Sequence, residues 1–347
     1  MVRQHELGWI GEAPSGEILF EHDLLQAPWK QELIETVHAA FPPSVGAGEM
    51  ISLQPTAGPA GSYRFSGKTG SWFVRVSSRW GSPEIEMDLV NFLVERGVSV
   101  NLFMIVGVEL EWEGLSYRVD VRELIDGRHY DGTKTDVSSV AEAIRRCHHA
   151  LRDFPRAEEV RSNRRVIAET HTKTRNSIAD ALRRDDFEIF GPSESWAITN
   201  KQFLSELVDG YEPNQMDLEG AQCIHGDLHP GNVIYQGSGK AMLIDFEYSP
   251  AAFAPVEWDL AYLVQRFCLR QLSGSALTEG LETVARVYGT PMRDLADAMR
   301  QTCWYCVTAA QVLCAQGIVV PVSEYEKFAM MSEQANEMRG LLAEAFF

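Results

Sequence analysis

The sequence predicts an α+β fold in which a small sheet-rich lobe precedes a larger, mainly helical one. Three observations predict it. The 347 residues exceed what one small core organises and suit two lobes of ordinary size. From about Ile51 to Leu124 the pattern is strand-rich around a single helix, and from about Asp136 onward apolar residues recur at helical spacing. Residues 1–45 read as an N-terminal extension carrying an extra helix before the Pro42-Pro43 break, 46–124 as the sheet lobe and 125–347 as the helical lobe.

In the first lobe SYRFSGKTGSWFVRV reads as a hairpin: Tyr63–Ser66, a turn over Gly67–Gly70, then Ser71–Ser77. Side chains alternate along a strand, so Phe73, Arg75 and Ser77 share one face and Trp72, Val74 and Val76 the other. Arg75 is thus a charge planted in mid-strand. The following SPEIEMDLVNFLVERG predicts a helix with Ser82 as N-cap, Pro83 at the first position and Gly97 as the stop. On a helical projection Ile85, Leu89, Val90, Phe92, Leu93 and Val94 make one broad apolar face with Glu86 in its middle, while Glu84 falls opposite with Asp88, Asn91 and Glu95. A carboxylate aimed at a core needs a cationic partner, and Arg75 is the predicted one.

In the second lobe DVSSVAEAIRRCHHALRDF predicts a helix capped by Asp136, with Val137, Val140, Ala141, Ile144, Cys147 and Leu151 on its buried stripe. His148 and His149 are then helix residues rather than metal ligands. Val233–Tyr235 and Ala241–Ile244 are β-prone runs joined by a turn over Gln236–Lys240. The apolar stretch from about Cys303 to Val320 is interrupted by Thr308, Gln311 and Gln316, which predicts a buried helix and not a membrane span.

Composition narrows the partners. Hydrophobic residues at 45% and charged ones at 23% are ordinary globular values. The formal net charge of −18 sets aside a nucleic acid partner, which needs a basic face, and tilts a small-molecule substrate toward a cation; solubility is the plainer reading of that charge. No apolar run near the N-terminus serves as a signal peptide, so a cytoplasmic protein is expected. The six cysteines sit mostly in apolar segments and imply no disulfides. Cys303 and Cys306 form a C-x-x-C, but no second Cys or His pair follows at zinc spacing. Oligomeric state leaves no mark.

The chemistry concentrates in CIHGDLHPGNVIYQGSGKAMLIDFEY, Cys223 to Tyr248. Carboxylates beside Val-Ile and Leu-Ile runs are costly to bury without a cation among them. Closing the Val233–Ile244 hairpin brings Asn232, just before its first strand, beside Asp245, just after its second. An amide oxygen and a carboxylate then converge, a pair suited to Mg²⁺, which fills its octahedron with water and substrate phosphates. The cation is therefore read as Mg²⁺ and its cargo as a nucleotide's phosphate chain. Asp227 precedes Asn232 in the spacing D-x-x-x-x-N, in which kinase loops use the Asp to receive the acceptor hydroxyl's proton and the Asn to bind metal. His225 reads as a loop-supporting histidine bonded to backbone, and Asp259 as an N-cap or loop brace. His229 stays open between metal site and solvent, and Glu257 has no assigned role.

His225-Gly226-Asp227 through Asn232, followed by Ile244-Asp245-Phe246-Glu247, resembles the aminoglycoside phosphotransferase and choline kinase family, small-molecule kinases with a bilobal protein-kinase-like fold. Trp258-Asp259-Leu260-Ala261 is similar to the D-L-A signature of that family. The resemblance runs from about Gly46 to Leu263; the rest matches only as a helical region. It implies Asp227 as catalytic base, Asn232 and Asp245 as Mg²⁺ ligands, and ATP as donor, its α- and β-phosphates positioned by Arg75 with Glu86. It further implies that 46–124 is the nucleotide lobe, that 125–347 carries catalysis and acceptor binding, and that Val121, Glu123 and Leu124 belong to a hinge whose backbone receives the adenine.

Two features depart from the family pattern. Arg75 stands where Lys is frequent, a planar fork in place of a point charge, and Lys68 lies in the turn where it cannot substitute. The phosphate loop is irregular: Thr56–Ser62, with Gly58, Gly61 and Ser62, supplies small residues whose backbone can approach phosphates. The expected acceptor is a hydroxyl of a small molecule, such as an aminoglycoside, an amino alcohol like choline, a sugar or an amino sugar. Trp258, Tyr262, Trp304 and Tyr305 read either as a cage for a quaternary amine or as helix core. Two other classes compete. A nucleotide-binding pseudokinase is opposed by the joint presence of Asp227, Asn232 and Asp245, and a protein kinase by HGD in place of HRD and by the lack of A-P-E after Asp245.

Overall fold

The computed structural model describes residues 29–41, 48–53, 59–77, 82–288 and 295–345, so Gly58 of the expected phosphate loop and most of the N-terminal extension lie outside the described residues. Five strands, β1 (Glu49–Ser52), β2 (Gly61–Gly67), β3 (Gly70–Ser77), β4 (Phe103–Trp112) and β5 (Leu115–Glu123), form an antiparallel sheet in the order β1-β2-β3-β5-β4. The predicted hairpin is β2–β3, with Ser62 opposite Arg75. Its alternation is as expected: Trp72, Val74 and Val76 are buried, while Phe73, Arg75 and Ser77 are partly exposed. The buried face, with Tyr63, Phe65, Val119 and Val121, packs on Leu33 and Val37 of α1 (Lys30–Ala40). The helix expected ahead of the sheet therefore closes its outer side.

The other face of the sheet carries charge. On β5, Arg118, Asp120 and Arg122 alternate with Val119 and Val121, and the register sets Asp120 opposite Arg75 of β3. The helix α2 (Pro83–Glu95) sends Glu86 into this face. Ser82 occupies the N-cap position but its hydroxyl makes no capping bond, and Gly97, at φ +73°, follows the helix end as predicted.

The larger lobe is built from α3 (Lys134–Leu151), α4 (Ala157–Arg184), α5 (Glu194–Thr199), α6 (Lys201–Gly210), α7 (Glu257–Leu263), α8 (Gly274–Tyr288), α9 (Leu295–Ala315) and α10 (Val322–Ala345). Two short ladders interrupt it, β6 (Gln222–Cys223) with β9 (Phe253–Ala254) and β7 (Val233–Tyr235) with β8 (Ala241–Leu243). The predicted stripe of α3 is fully buried. Its cap differs from the expectation: Thr133 Oγ1 accepts from the Asp136 N–H at 3.3 Å, while the Asp136 carboxylate takes both arms of the Arg128 fork at 2.6 and 2.8 Å. A charge-assisted bidentate pair outweighs a capping bond.

Cys303 and Cys306 are buried in α9, and all six cysteines are free. Among the described residues there is no His/Cys/Asp/Glu cluster of metal-binding kind, and no helix is long and apolar enough to cross a membrane. A backbone bond crosses between the lobes: Leu243 N–H donates to Ser99 O at 3.1 Å. Arg128 and Tyr235, both beyond the sheet lobe, exchange N–H···O bonds of 3.0 and 2.7 Å. The approach of the segment after β5 to β7 depends on Gly127, where a Cβ would lie 2.4 Å from Ile234 Cγ2 and 2.8 Å from the Tyr235 carbonyl oxygen.

Candidate active site

The His225–Asn232 loop between β6 and β7 is held from below by one carboxylate. Asp259 is wholly buried and accepts from the N–H groups of His225 at 2.8 Å and Gly226 at 2.9 Å, and from His148 Nε2 at 2.8 Å. Burial works to raise its pKa, but the bonds from His148 and Gly226 outweigh that and hold the carboxyl below the usual range. Asp259 is thus the loop brace, from inside α7, where Val256 is the N-cap. Gly226 has φ +86° and no room for a Cβ, which would lie 2.5 Å from Ala252 Cβ.

His225 has the expected supporting role. Its Nδ1 accepts from the Asp227 N–H at 3.3 Å, so Nε2 carries the proton and donates to Ile244 O at 3.0 Å, and burial lowers its pKa. His229 turns its Nδ1 to the Gly231 N–H at 3.0 Å and its Nε2 toward Asp227, 3.7 Å from Oδ2; burial pushes it down to about 3, so it is neutral there. Asp227 keeps 18% of its side chain exposed, and burial pushes its carboxyl up to about 7 against the pull of Arg266.

A backbone bond from Ile244 to Asn232 sets Asn232 beside the residue that precedes Asp245. Asn232, 5% exposed, donates from Nδ2 to the Asp227 backbone oxygen at 2.9 Å and to Asp227 Oδ2 at 3.3 Å, and its own carbonyl accepts from Ile244 N–H at 3.0 Å. Asp245 follows with φ +62°, a left-handed conformation costly for a residue with a side chain, of the kind that gathers at functional sites. With Asn232 Nδ2 turned to Asp227, its Oδ1 and the Asp245 carboxylate offer two hard oxygens at one hairpin end, a donor set that fits Mg²⁺.

The predicted Arg75–Glu86 pair does not form. Glu86, 2% exposed, takes Arg122 Nη2 at 2.7 Å and Arg118 Nη2 at 3.2 Å. Burial raises its pKa and the two arginines oppose the rise. Both arginines flank Asp120 on the same face of β5 and reach the α2 carboxylate from the middle of the sheet. Arg75, one strand over, instead donates from Nη1 to Ser62 Oγ at 2.9 Å. Burial opposes the charge of Arg75, but the fields of Glu247 and Asp245 raise its pKa, so it belongs to the charge cluster of the cleft. Glu247 is itself pushed up to about 7, by burial first and then by Asp245. The pattern R-V-D-V-R in Arg118–Arg122 was the readable signal for the true partners of Glu86: charges at period two on a strand share a face.

The hinge residues are divided. Val121 lies inside the ladder between Val74 and Ile105, Glu123 is the last paired residue, opposite Trp72, and Leu124 is the first beyond the strand. Gly61 and Ser62 open β2 beside Arg75. Next to Asp227 lies a cavity whose walls include Arg164, Trp258, Tyr262, Arg266, Tyr305 and Lys327. Trp304, the fourth aromatic of the predicted set, packs in the α6/α9/α10 core. Sequence reading missed the three cations because α4, the π-helical turn Val264–Leu269 and α10 converge only in space.

The two-lobed, kinase-like fold places the chain in the phosphotransferase class. The sequence profile of the phosphotransferase enzyme family (APH) matches residues 53–299, and the chain belongs to that family. No curated protein sequence matches it significantly. Among solved structures, spectinomycin phosphotransferase APH(9)-Ia in its AMP-bound complex is 15% identical with a TM-score of 0.57 over 91% of this chain and 98% of its own. The same protein with ADP and spectinomycin gives 15% identity and a TM-score of 0.56 over 88% and 97%. Choline kinase LicA from Streptococcus pneumoniae is 15% identical with a TM-score of 0.55 over 89% and 100%. At such identities the likeness is one of fold.

Proposed function

We propose that the protein transfers the γ-phosphate of Mg-ATP to a hydroxyl of a small molecule. The observation that carries this reading is the Asp227–Asn232–Asp245 arrangement, in which Asn232 bonds Asp227 through its amide nitrogen and stands beside Asp245 through the Ile244 backbone bond. Nucleotide binding is supported by the AMP and ADP complexes of the structural relatives.

Asn232 and Asp245 would hold Mg²⁺, which when bound neutralises phosphate charge. Arg75 adds positive charge from β3 toward the phosphates, and Gly61 and Ser62 bring backbone and a hydroxyl beside it. Glu86 keeps Arg118 and Arg122 fixed behind that strand and contributes to the nucleotide site only through them. The backbone of Glu123 and Leu124, outside or at the end of the ladder, is offered to the adenine, with Val121 as apolar wall. Asp227 accepts the acceptor hydroxyl's proton as the new O–P bond forms and the bond from the γ-phosphorus to the β–γ bridging oxygen breaks, leaving ADP. A base with a pKa near 7 is well matched to that task.

General-base assistance is worth about 10² to 10⁴ in rate. Asp227→Ala should therefore lose at least about 10²-fold in kcat while still binding Mg-ATP, measured by calorimetry beside ADP release. Undiminished turnover in that variant removes Asp227 from the reaction.

A further inference from the structure

The cavity next to Asp227 has a sign. Of the residues on its wall, Arg164, Arg266 and Lys327 are cationic and Asp227 is the one carboxylate among the described residues. Arg164 is 4% exposed, yet its Nε and Nη2 atoms have no hydrogen-bond partner, and among the described residues no carboxylate pairs with it. Those two N–H groups lie along one edge of the guanidinium, the edge that grips an oxyanion with two parallel bonds. A buried, charged donor edge left empty is costly, and proteins fill such edges.

The same geometry argues against a cation. The guanidinium of Arg164 already sits over Trp258 at 5.3 Å and over Tyr305 at 4.8 Å, and that of Arg266 over Tyr262 at 5.3 Å. The ring faces that would cage a quaternary amine are covered by the protein's own charges. An incoming ammonium would meet the unpartnered guanidinium edge of Arg164 in a poorly solvated space. Arg266 is carried by the π-helical turn Val264–Leu269, a local widening of the helix that recurs at functional sites. Lys327 pairs with Glu324 at 3.2 Å, so the unpartnered cationic edge on this wall is that of Arg164. The overall charge of −18, which pointed toward a cationic substrate, does not describe this pocket.

We propose that the acceptor is anionic: a small hydroxylated molecule whose carboxylate or phosphate group docks on the Nε/Nη2 edge of Arg164 while its hydroxyl lies at Asp227. This rests on the kinase reading above and names its substrate class. The test uses two carbon skeletons in four charge states: gluconate, glucose 6-phosphate, glucose and glucosamine; glycerate, glycerol 3-phosphate, glycerol and serinol. Each compound is given to the wild-type enzyme with Mg-ATP, and both the shift in melting temperature and the release of ADP are read. The proposal expects an anionic member of at least one skeleton to bind and to be phosphorylated at least about 30-fold better in kcat/KM than its neutral counterpart, with the amine poorest. Whether carboxylate or phosphate wins identifies the group.

Arg164→Met should abolish that preference and Arg164→Lys should keep part of it, with circular dichroism confirming the fold; if neither variant folds, the wild-type comparison decides alone. Anions that bind without ADP release would uphold the anionic pocket and sink the kinase reading. ADP release with glucosamine or serinol in preference to the anions would do the reverse. Equal response across all charge states, or none to either pair of anions, overturns the inference.

Discussion

Asp259 shows how much of this site depends on one side chain that touches no reactant. It satisfies two successive backbone N–H groups and a buried histidine, and the residue after those two amides is Asp227. Removing a partner from a buried charged cluster leaves the others desolvated and unpaired, at a cost of about 3–5 kcal/mol. Asp259→Ala should lower unfolding stability in urea by about that amount. It should also lower kcat more than it raises the KM for ATP, because the loop geometry at Asp227 relaxes while the nucleotide lobe is untouched. Stability within about 0.5 kcal/mol of wild type would mean that the loop holds itself, as a surface position would.

At the level of the elements, β3 and β5 divide two tasks that the sequence reading had assigned to one pair. Arg118 and Arg122 anchor Glu86 and keep α2 on the sheet, while Arg75 is left to face the cleft. Two substitutions separate the tasks. Glu86→Ala strands the buried Arg122, while Arg118 keeps Asp120 at 2.6 Å, and should cost about 3–5 kcal/mol in a denaturation experiment. Arg75→Ala removes a half-buried side chain bonded to Ser62 Oγ; it should change stability by no more than about 1 kcal/mol and raise the KM for ATP at least about tenfold. A reversed pattern would return the phosphate role to the Glu86 network. Elements whose period is local were legible: the alternation of Trp72–Ser77, the stripe of Val137–Leu151 and the Val233–Leu243 hairpin all lie where the spacing placed them. Caps were less so, because Asp136 and Ser82 compete for partners outside their own helices, and a one-dimensional pattern does not contain Arg128.

Across the whole molecule the same limit decides what could be read. Asp227, Asn232 and Asp245 sit on one loop and the hairpin that follows it, so chain order alone suggests their grouping, whereas the cavity beside Asp227 is assembled from α4, α7, the π-helical turn, α9 and α10. One residue at that convergence sets a property of the entire fold. His171 of α4 is 4% exposed, stacks on Tyr305 of α9 with ring centroids 4.5 Å apart, and turns Nδ1 to the hydroxyls of Thr308 at 2.6 Å and Tyr211 at 3.1 Å. Burial, reinforced by the positive charge of Arg164, lowers its pKa to about 3. Tyr211, Tyr305 and Thr308 offer it no counter-charge. Unfolded, the same histidine titrates near about 6.5. The unfolded chain therefore binds a proton that the folded chain refuses, so the contribution of His171 is fully present above about pH 6.5 and is lost as pH falls toward 3, with a slope approaching about 1.4 kcal/mol per pH unit. Asp227 and Glu247, raised to about 7, and His229, lowered to about 3, also titrate across this range, the two carboxyls with the opposite sign, so the test is the difference between two proteins: in urea unfolding at pH 7.5, 6.0 and 5.0, His171→Gln should lose less stability on acidification than the wild type, by up to one proton's slope. The window lies above the carboxylate range, so acid titration of Asp and Glu with ordinary pKa values contributes little to it. Parallel pH curves for the two proteins would show that His171 is protonated in the fold and that α4 and α9 leave it room for a counter-ion.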